Sequence, residues 1–175
     1  GSPACAAVGP GAGIPIGTRR FALCAGLGWP TLTQSALVDV AVGIIRRSDG
    51  AVLMTSRPLG KPYAGYWEFP GGKLELKESS TQALSRELSE EIGISIQRSS
   101  PVAWQIEHNY AHAKVRLFFH WVTQWSGEPK SLEKQQTLWV SLGDAWPYPV
   151  LPATLPLLDK IKNYRASAEM EYLVR

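Results

Sequence analysis

Glu87, Glu90 and Glu91 are the residues of this chain best placed to do chemistry. At spacings of i, i+3 and i+4 they share one face of a helix. Like charges that close repel and cost helix stability, a cost that divalent cations on the same face would relieve. Clustered carboxylate oxygens suit a hard cation, Mg2+ or Mn2+, rather than a metal that prefers soft ligands. The competing reading is a solvated acidic face with Arg86 as a local ion-pair partner. The surrounding run from Gly72 to Ile94 weighs against it, because Gly71-Gly72, Glu78, Arg86 and Gly93 stand at fixed offsets from the three carboxylates.

These residues need a strand, a loop and a helix to hold them. Ser79 and Gln82 have the spacing of a capping box, helix-favouring residues follow to Glu91, and Gly93 can end the helix. Leu84, Leu88 and Ile92 form an apolar stripe beside the glutamates, suited to pack on a core. Pro70-Gly71-Gly72 reads as a turn whose permissive backbone lets a main-chain carbonyl approach the metal. Ahead of it, Tyr66-Trp67-Glu68-Phe69 alternates like a short strand. Leu37 to Arg46 reads as another strand, with Ser48-Asp49-Gly50 as a tight turn and Ala51 to Ser56 as its partner. A long loop, Arg57 to Gly65, leads to the run. Further strands are expected near Val102–Ile106, Lys114–Thr123 and Thr137–Val140, and a closing helix after Pro152-Ala153-Thr154. Strands and helices in mixed order predict an α+β fold, an α/β/α sandwich around a mixed sheet.

Length and composition bound the rest. The 175 residues predict a single domain at 37–166, with a C-terminal tail at 167–175. Residues 1–36 are rich in Gly, Ala and Pro, without an acidic residue, and read as a flexible low-complexity arm; its Gly-Ser start looks like a cloning scar. Hydrophobic residues make up 45% and there are seven Trp, enough for a real core. The net charge of +3 is too weak to argue for a nucleic-acid polymer as partner. Cys5 and Cys24 make no disulfide framework or zinc spacing, which fits a reducing, cytoplasmic setting. No apolar run is long enough for a membrane span. Monomer and dimer both remain open.

The run from Gly72 to Ile94 fills every fixed place of the Nudix box, and from about Val38 to Tyr164 the chain resembles the Nudix hydrolases, within them the MutT-like nucleoside triphosphate pyrophosphohydrolases. Val42-Gly43-Ile44-Ile45-Arg46, Trp67-Glu68-Phe69-Pro70-Gly71-Gly72-Lys73, Trp125-Ser126-Gly127-Glu128-Pro129 and Leu151-Pro152-Ala153 carry the MutT-like flavour. The resemblance implies a Nudix fold, Mg2+ dependence, and hydrolysis of a nucleoside triphosphate to monophosphate and pyrophosphate. It implies metal binding by the Gly71 carbonyl, Glu87, Glu90 and Glu91, and an orienting role for Glu78 with Arg86. Arg57 falls where such enzymes set an arginine against substrate phosphate. Glu133 falls where the subgroup carries a glutamate on a mobile loop, as metal ligand or base, so either Glu90 or Glu133 is the general base. Glu68 is a candidate for shaping the pocket.

In the 8-oxoguanine-specific members an asparagine after the Pro-Ala step reads the purine edge. Here Thr154 stands there, with a smaller hydroxyl that reorients. The resemblance therefore implies 8-oxo-dGTP first, with CTP or 5-methyl-dCTP as the alternative. Tyr110, Phe119, Trp121 and Trp139 are candidates to stack the base. His108, His112 and His120 form no convincing metal set. An ADP-ribose or dinucleoside polyphosphate hydrolase is disfavoured by the residues flanking the box, and a non-catalytic binding module by the retention of every box glutamate.

Overall fold

Residues 36–163 are described by the computed structural model of the protein; both cysteines, the N-terminal arm and the C-terminal tail lie outside them. Within strand β1 (Leu37–Ile45), Ala41 and Ile45 point to one side and Val42 and Ile44 to the other, as the period of a strand dictates. Both sets are buried, so the sheet is covered on both faces.

One cover is helix α1 (Ser80–Ile92), whose Ala83, Leu84, Leu88 and Ile92 pack with Ala41, Ile45 and Leu53. The other is helix α2 (Leu155–Asn163), whose Leu157, Leu158 and Ile161 pack with Val42, Ile44, Phe119 and Trp121. Removing each such aliphatic side chain from water contributes roughly 1.5–3 kcal/mol. The expected α/β/α sandwich is therefore present, with its apolar stripe on α1 where the spacing put it. The helix ends also follow the sequence. Ser79 caps the N-terminus in a reciprocal capping box with Gln82, and Gly93 closes the C-terminus in a left-handed conformation at φ 71°.

Strand pairing departs from expectation. β2 (Val52–Ser56) is not the hairpin partner of β1: a single bridge, Arg46 to Val52, joins them before they diverge. Both edges of β1 are already taken. β7 (Lys114–Ser126) runs parallel to it along its whole length, and β4 (Gly71–Lys73) runs antiparallel along Val40–Val42. β2 instead sits between β3 (Trp67–Glu68) and β8 (Thr137–Val140) in an antiparallel three-stranded sheet. The Pro-Gly-Gly segment is thus not only a turn, since its glycines make β4. β5 (Ser95–Ser99) was not anticipated, and β6 falls at Trp104–Asn109, later than expected. Both pair antiparallel with β7 and complete a mixed five-stranded sheet.

Candidate active site

β4 and α1 bring the box residues together because two glycines leave room for them. A Cβ on Gly72 would fall on the Glu87 carboxyl group, so only a glycine lets β4 lie against that carboxylate. A Cβ on Gly71, at φ 150°, would meet the Ala41 carbonyl oxygen of the neighbouring strand. The two positions therefore differ in consequence. Alanine at Gly71 strikes backbone and disrupts the sheet, whereas alanine at Gly72 strikes the end of a flexible side chain. Gly72→Ala is expected to fold with nearly unchanged Tm while kcat/KM drops about 10- to 100-fold, as for groups that orient a reactive carboxylate. Retention of full activity would show that the position of Glu87 is immaterial.

Arg86 organises the helix face. Its Nε and Nη2 donate to the two oxygens of Glu78 at 3.1 and 2.9 Å, and Nη2 also donates to the Lys73 carbonyl at 3.0 Å. Its Nη1 donates to Glu87 Oε1 at 2.8 Å and to Glu90 Oε2 at 3.3 Å. The Arg86 hydrogen bonds hold the Glu78 carboxyl below the usual carboxylate range, helped by the Glu75 N–H, and those to Glu78 and Glu87 raise the Arg86 guanidinium.

Glu91 lies on the inner side of this face, and among the described residues no Lys or Arg forms an ion pair with it. Its Oε2 accepts from the Gly71 N–H at 3.2 Å. Burial pushes its carboxyl up to about 7; the Gly71 N–H opposes the shift, and the charges of Glu68, Glu133 and Glu87 add to it. Glu68 is lifted by burial to about 7 as well, against the pull of Arg57. The pair is close: Arg57 Nη1 donates to both Glu68 oxygens at 2.8 and 2.9 Å, and Nε donates to the Pro62 carbonyl at 2.8 Å.

Glu133 approaches from the Gly127–Gln136 segment, and its carboxylate pairs with Lys61 Nζ at 3.2 Å. That segment is hydrogen-bonded to the end of α1: Lys130 N–H donates to the Ile92 carbonyl and Leu132 N–H to the Glu91 carbonyl. Sequence reading missed Lys61 and Gln135, because a polar loop residue carries no sign of the element it docks on.

As placed here, Glu87 and Glu90 lean on Arg86, and among the described residues no three His, Cys, Asp or Glu side chains converge on one metal position. The donor set nevertheless suits a hard cation. It is all oxygen, and the Glu91 carboxyl, raised first by burial and then by neighbouring carboxylates, would be held in its charged form by a divalent cation beside it.

Thr154 is buried just before α2; its N–H donates to the Leu151 carbonyl and its carbonyl accepts from Leu157. Next to it, the Ala153 N–H donates to the Tyr110 hydroxyl at 3.4 Å. Tyr110 keeps its place as an aromatic near the site, with Tyr63 at 5.2 Å and His108 at 4.4 Å between ring centroids. The other candidates do not. Phe119 and Trp121 are 1% exposed within the core, and Trp139 stacks on Trp125 in the layer under α1. Tyr63 and Tyr66, in edge contact at 5.2 Å, were missed. His120 serves the fold: it is buried between the Ser100 carbonyl and Ser80 Oγ, both at 3.0 Å, while His108 and His112 pack against Tyr110.

Comparison with known proteins supplies the context for this geometry. A family model described as NUDIX domain matches residues 41–160. An 8-oxo-dGTP diphosphatase of Haemophilus influenzae is 37% identical over 129 residues, covering 73% of this chain and 93% of the relative. A CTP pyrophosphohydrolase of Escherichia coli is also 37% identical, over 131 residues, covering 75% and 96%. A structure from work on MutT of Aliivibrio salmonicida and Vibrio cholerae superimposes with a TM-score of 0.62 at 34% identity, covering 74% of this chain and 99% of that one. A MutT NUDIX hydrolase of Burkholderia pseudomallei superimposes with a TM-score of 0.64 at 28% identity, covering 71% and 97%.

Proposed function

The chain belongs to the Nudix family, and from that membership we propose that it hydrolyses a nucleoside triphosphate, 8-oxo-dGTP first, to the nucleoside monophosphate and pyrophosphate. The observation that carries the reading is the gathering of carboxylates at the Gly71-Gly72 strand: Glu87 lies against Gly72, Glu91 accepts from the Gly71 N–H, and Glu68 stands in the strand just ahead. That much negative charge in one place fits a site for polyphosphate only if divalent cations enter with it.

Glu87, Glu90 and Glu91, with the Gly71 main chain, would hold Mg2+ or Mn2+. When bound, the cation supplies neutralisation of phosphate oxygens and a lower pKa for a coordinated water. The protein does the remainder. Arg86 and Glu78 keep the carboxylate face in one orientation through a two-pronged ion pair. Arg57, partly buried beside Glu68, offers its guanidinium to a phosphate oxygen. A water attacks the β-phosphorus, the bond from that phosphorus to the oxygen bridging to the α-phosphate breaks, and the nucleoside monophosphate leaves. Glu133 takes the proton of that water: it comes from a separate loop, with Lys61 as its ion-pair partner, whereas Glu90 is counted among the carboxylates that would hold the cation. Tyr110, in ring contact with Tyr63 and bonded to Ala153 next to Thr154, offers an aromatic face on which a base can stack.

A cytidine nucleotide is the second reading. Two features favour it: Thr154 in place of an amide, and the CTP pyrophosphohydrolase that matches as well as the 8-oxo-dGTP diphosphatase does. Nucleoside monophosphate release with Mg2+ from 8-oxo-dGTP, dGTP, CTP, 5-methyl-dCTP and ADP-ribose (which gives AMP and ribose 5-phosphate), ranked by kcat/KM, tests both. The expected order has 8-oxo-dGTP in front; cytidine in front would transfer the assignment to the second reading, and a front-running ADP-ribose would overturn both. Thr154→Asn is expected to tighten 8-oxo-dGMP binding about tenfold, the worth of one well-placed hydrogen bond. An unchanged Kd by calorimetry would mean that Thr154 does not read the base.

A further inference from the structure

A loop carboxylate can accept a proton reproducibly only if its loop holds it within hydrogen-bond reach of the reacting water. Glu133 has such a support in Gln135, which is only 6% exposed although it lies in a polar loop. The Gln135 side-chain oxygen accepts from the Glu133 N–H at 2.8 Å and from Ser131 Oγ at 3.2 Å. Its amide nitrogen donates to the Glu91 carbonyl at 2.7 Å. The two ends of the amide cannot be exchanged, since that would set donor against donor at Glu133 and acceptor against acceptor at Glu91.

The Glu91 carbonyl is available because it lies in the last turn of α1, where carbonyls have no partner within the helix. It accepts from Leu132 N–H as well, at 3.0 Å. Between Glu133 and Gln135, Lys134 adopts a left-handed φ of 63°. A residue other than glycine holds that conformation only where its surroundings impose it. Glu91 thus belongs to the site twice: its side chain faces the Gly71 N–H, and its carbonyl anchors the loop that brings Glu133.

We propose that Gln135 is a positioning residue, whose side-chain amide ties the Glu133 backbone to the carbonyl of Glu91 and so sets the placement of the Glu133 carboxylate relative to the helix glutamates. The inference rests on the reading in which Glu133 takes the water proton, and it deepens that reading.

The test compares Gln135→Met, which keeps the volume and removes both hydrogen bonds, with Glu133→Gln and with the double variant. Gln135→Asn, one methylene too short to span both partners, serves if the methionine variant does not fold. Glu133→Gln is expected to lower kcat about 100-fold, and Gln135→Met about tenfold or more, with KM moved by less than about twofold. The double variant is expected to be no slower than Glu133→Gln alone, because Gln135 acts through that carboxylate. Multiplied losses, or an unchanged kcat in Gln135→Met, would overturn the proposal. Amide exchange at Glu133 separates this from a failure of the hydrolysis reading. If the parent chain turns over no nucleotide, faster exchange at that amide in Gln135→Met would still support the positioning role, and exchange at the parent rate would overturn it.

Discussion

Glu91→Gln is expected to lose nearly all turnover and, in the presence of a chelator, to fold more stably than the parent above neutral pH. Both effects have one cause. The Glu91 carboxyl is raised from 4.5 to about 7, by burial first and then by the charges of Glu68, Glu133 and Glu87. Between those two values the folded chain holds a proton that the unfolded chain has released, so stability falls as pH rises through that window. Above it the whole penalty is present. Glutamine is neutral, nearly isosteric, and still able to accept from the Gly71 N–H. Its advantage should be absent below about pH 4.5, grow through the window, and reach on the order of 2 kcal/mol near pH 8. Thermal melts in chelator across this range measure it. Added Mg2+ should stabilise the parent and leave the variant much less affected, since only the parent has the charge to offer. Activity should drop about 100-fold or more, the usual cost of removing a group that balances charge in a phosphoryl-transfer site. A variant that is less stable than the parent at pH 8 in chelator would refute the crowding, and one with near-normal kcat would take Glu91 out of the machinery.

Arg86→Lys is expected to be almost as damaging to activity and to act by a different route. Lysine keeps the charge but has one point donor, whereas Arg86 distributes bonds among both Glu78 oxygens, Glu87, Glu90 and the Lys73 carbonyl. No single ammonium can reach that set. Glu87 and Glu90 should lose their common orientation, and kcat/KM should fall about 10- to 100-fold with the charge unchanged. Stability should respond with the opposite pH sense to Glu91→Gln. The Glu78 carboxyl is held low by Arg86, so its contribution is present above the unfolded value of 4.5 and is lost as pH falls through the folded one. The melting deficit of Arg86→Lys should therefore be largest near neutrality and shrink in acid. A normal kcat/KM in Arg86→Lys would reduce Arg86 to a surface ion pair.

Much of this site could be read from the order of residues because its parts are local. Ser79 with Gln82, Gly93, and the stripe of Leu84, Leu88 and Ile92 all act within one helix, whose period relates spacing directly to geometry. The exchange of Arg86 with Glu78 spans only the turn before that helix. Pairing between strands had no such guide. Ser48-Asp49-Gly50 is the turn its residues predict, with Gly50 at φ 88°, yet the strands it joins part company. Which edge of β1 is filled depends on β4 and β7, residues from 71 onward and 114 onward in sequence.

The same division holds for function. Residue order alone is enough for a helix that presents Glu87, Glu90 and Glu91 together, a glycine pair before it, and membership of a family of hydrolases. The packing of the chain makes Phe119 and Trp121 core rather than base-stacking residues, pairs Arg57 with Glu68, and lets Gln135 fasten the Glu133 loop to the helix end. The difference is one of range. Helix periodicity and capping are set by neighbours within a few residues, whereas burial, charge crowding and loop docking are properties of groups brought together from distant parts of the chain.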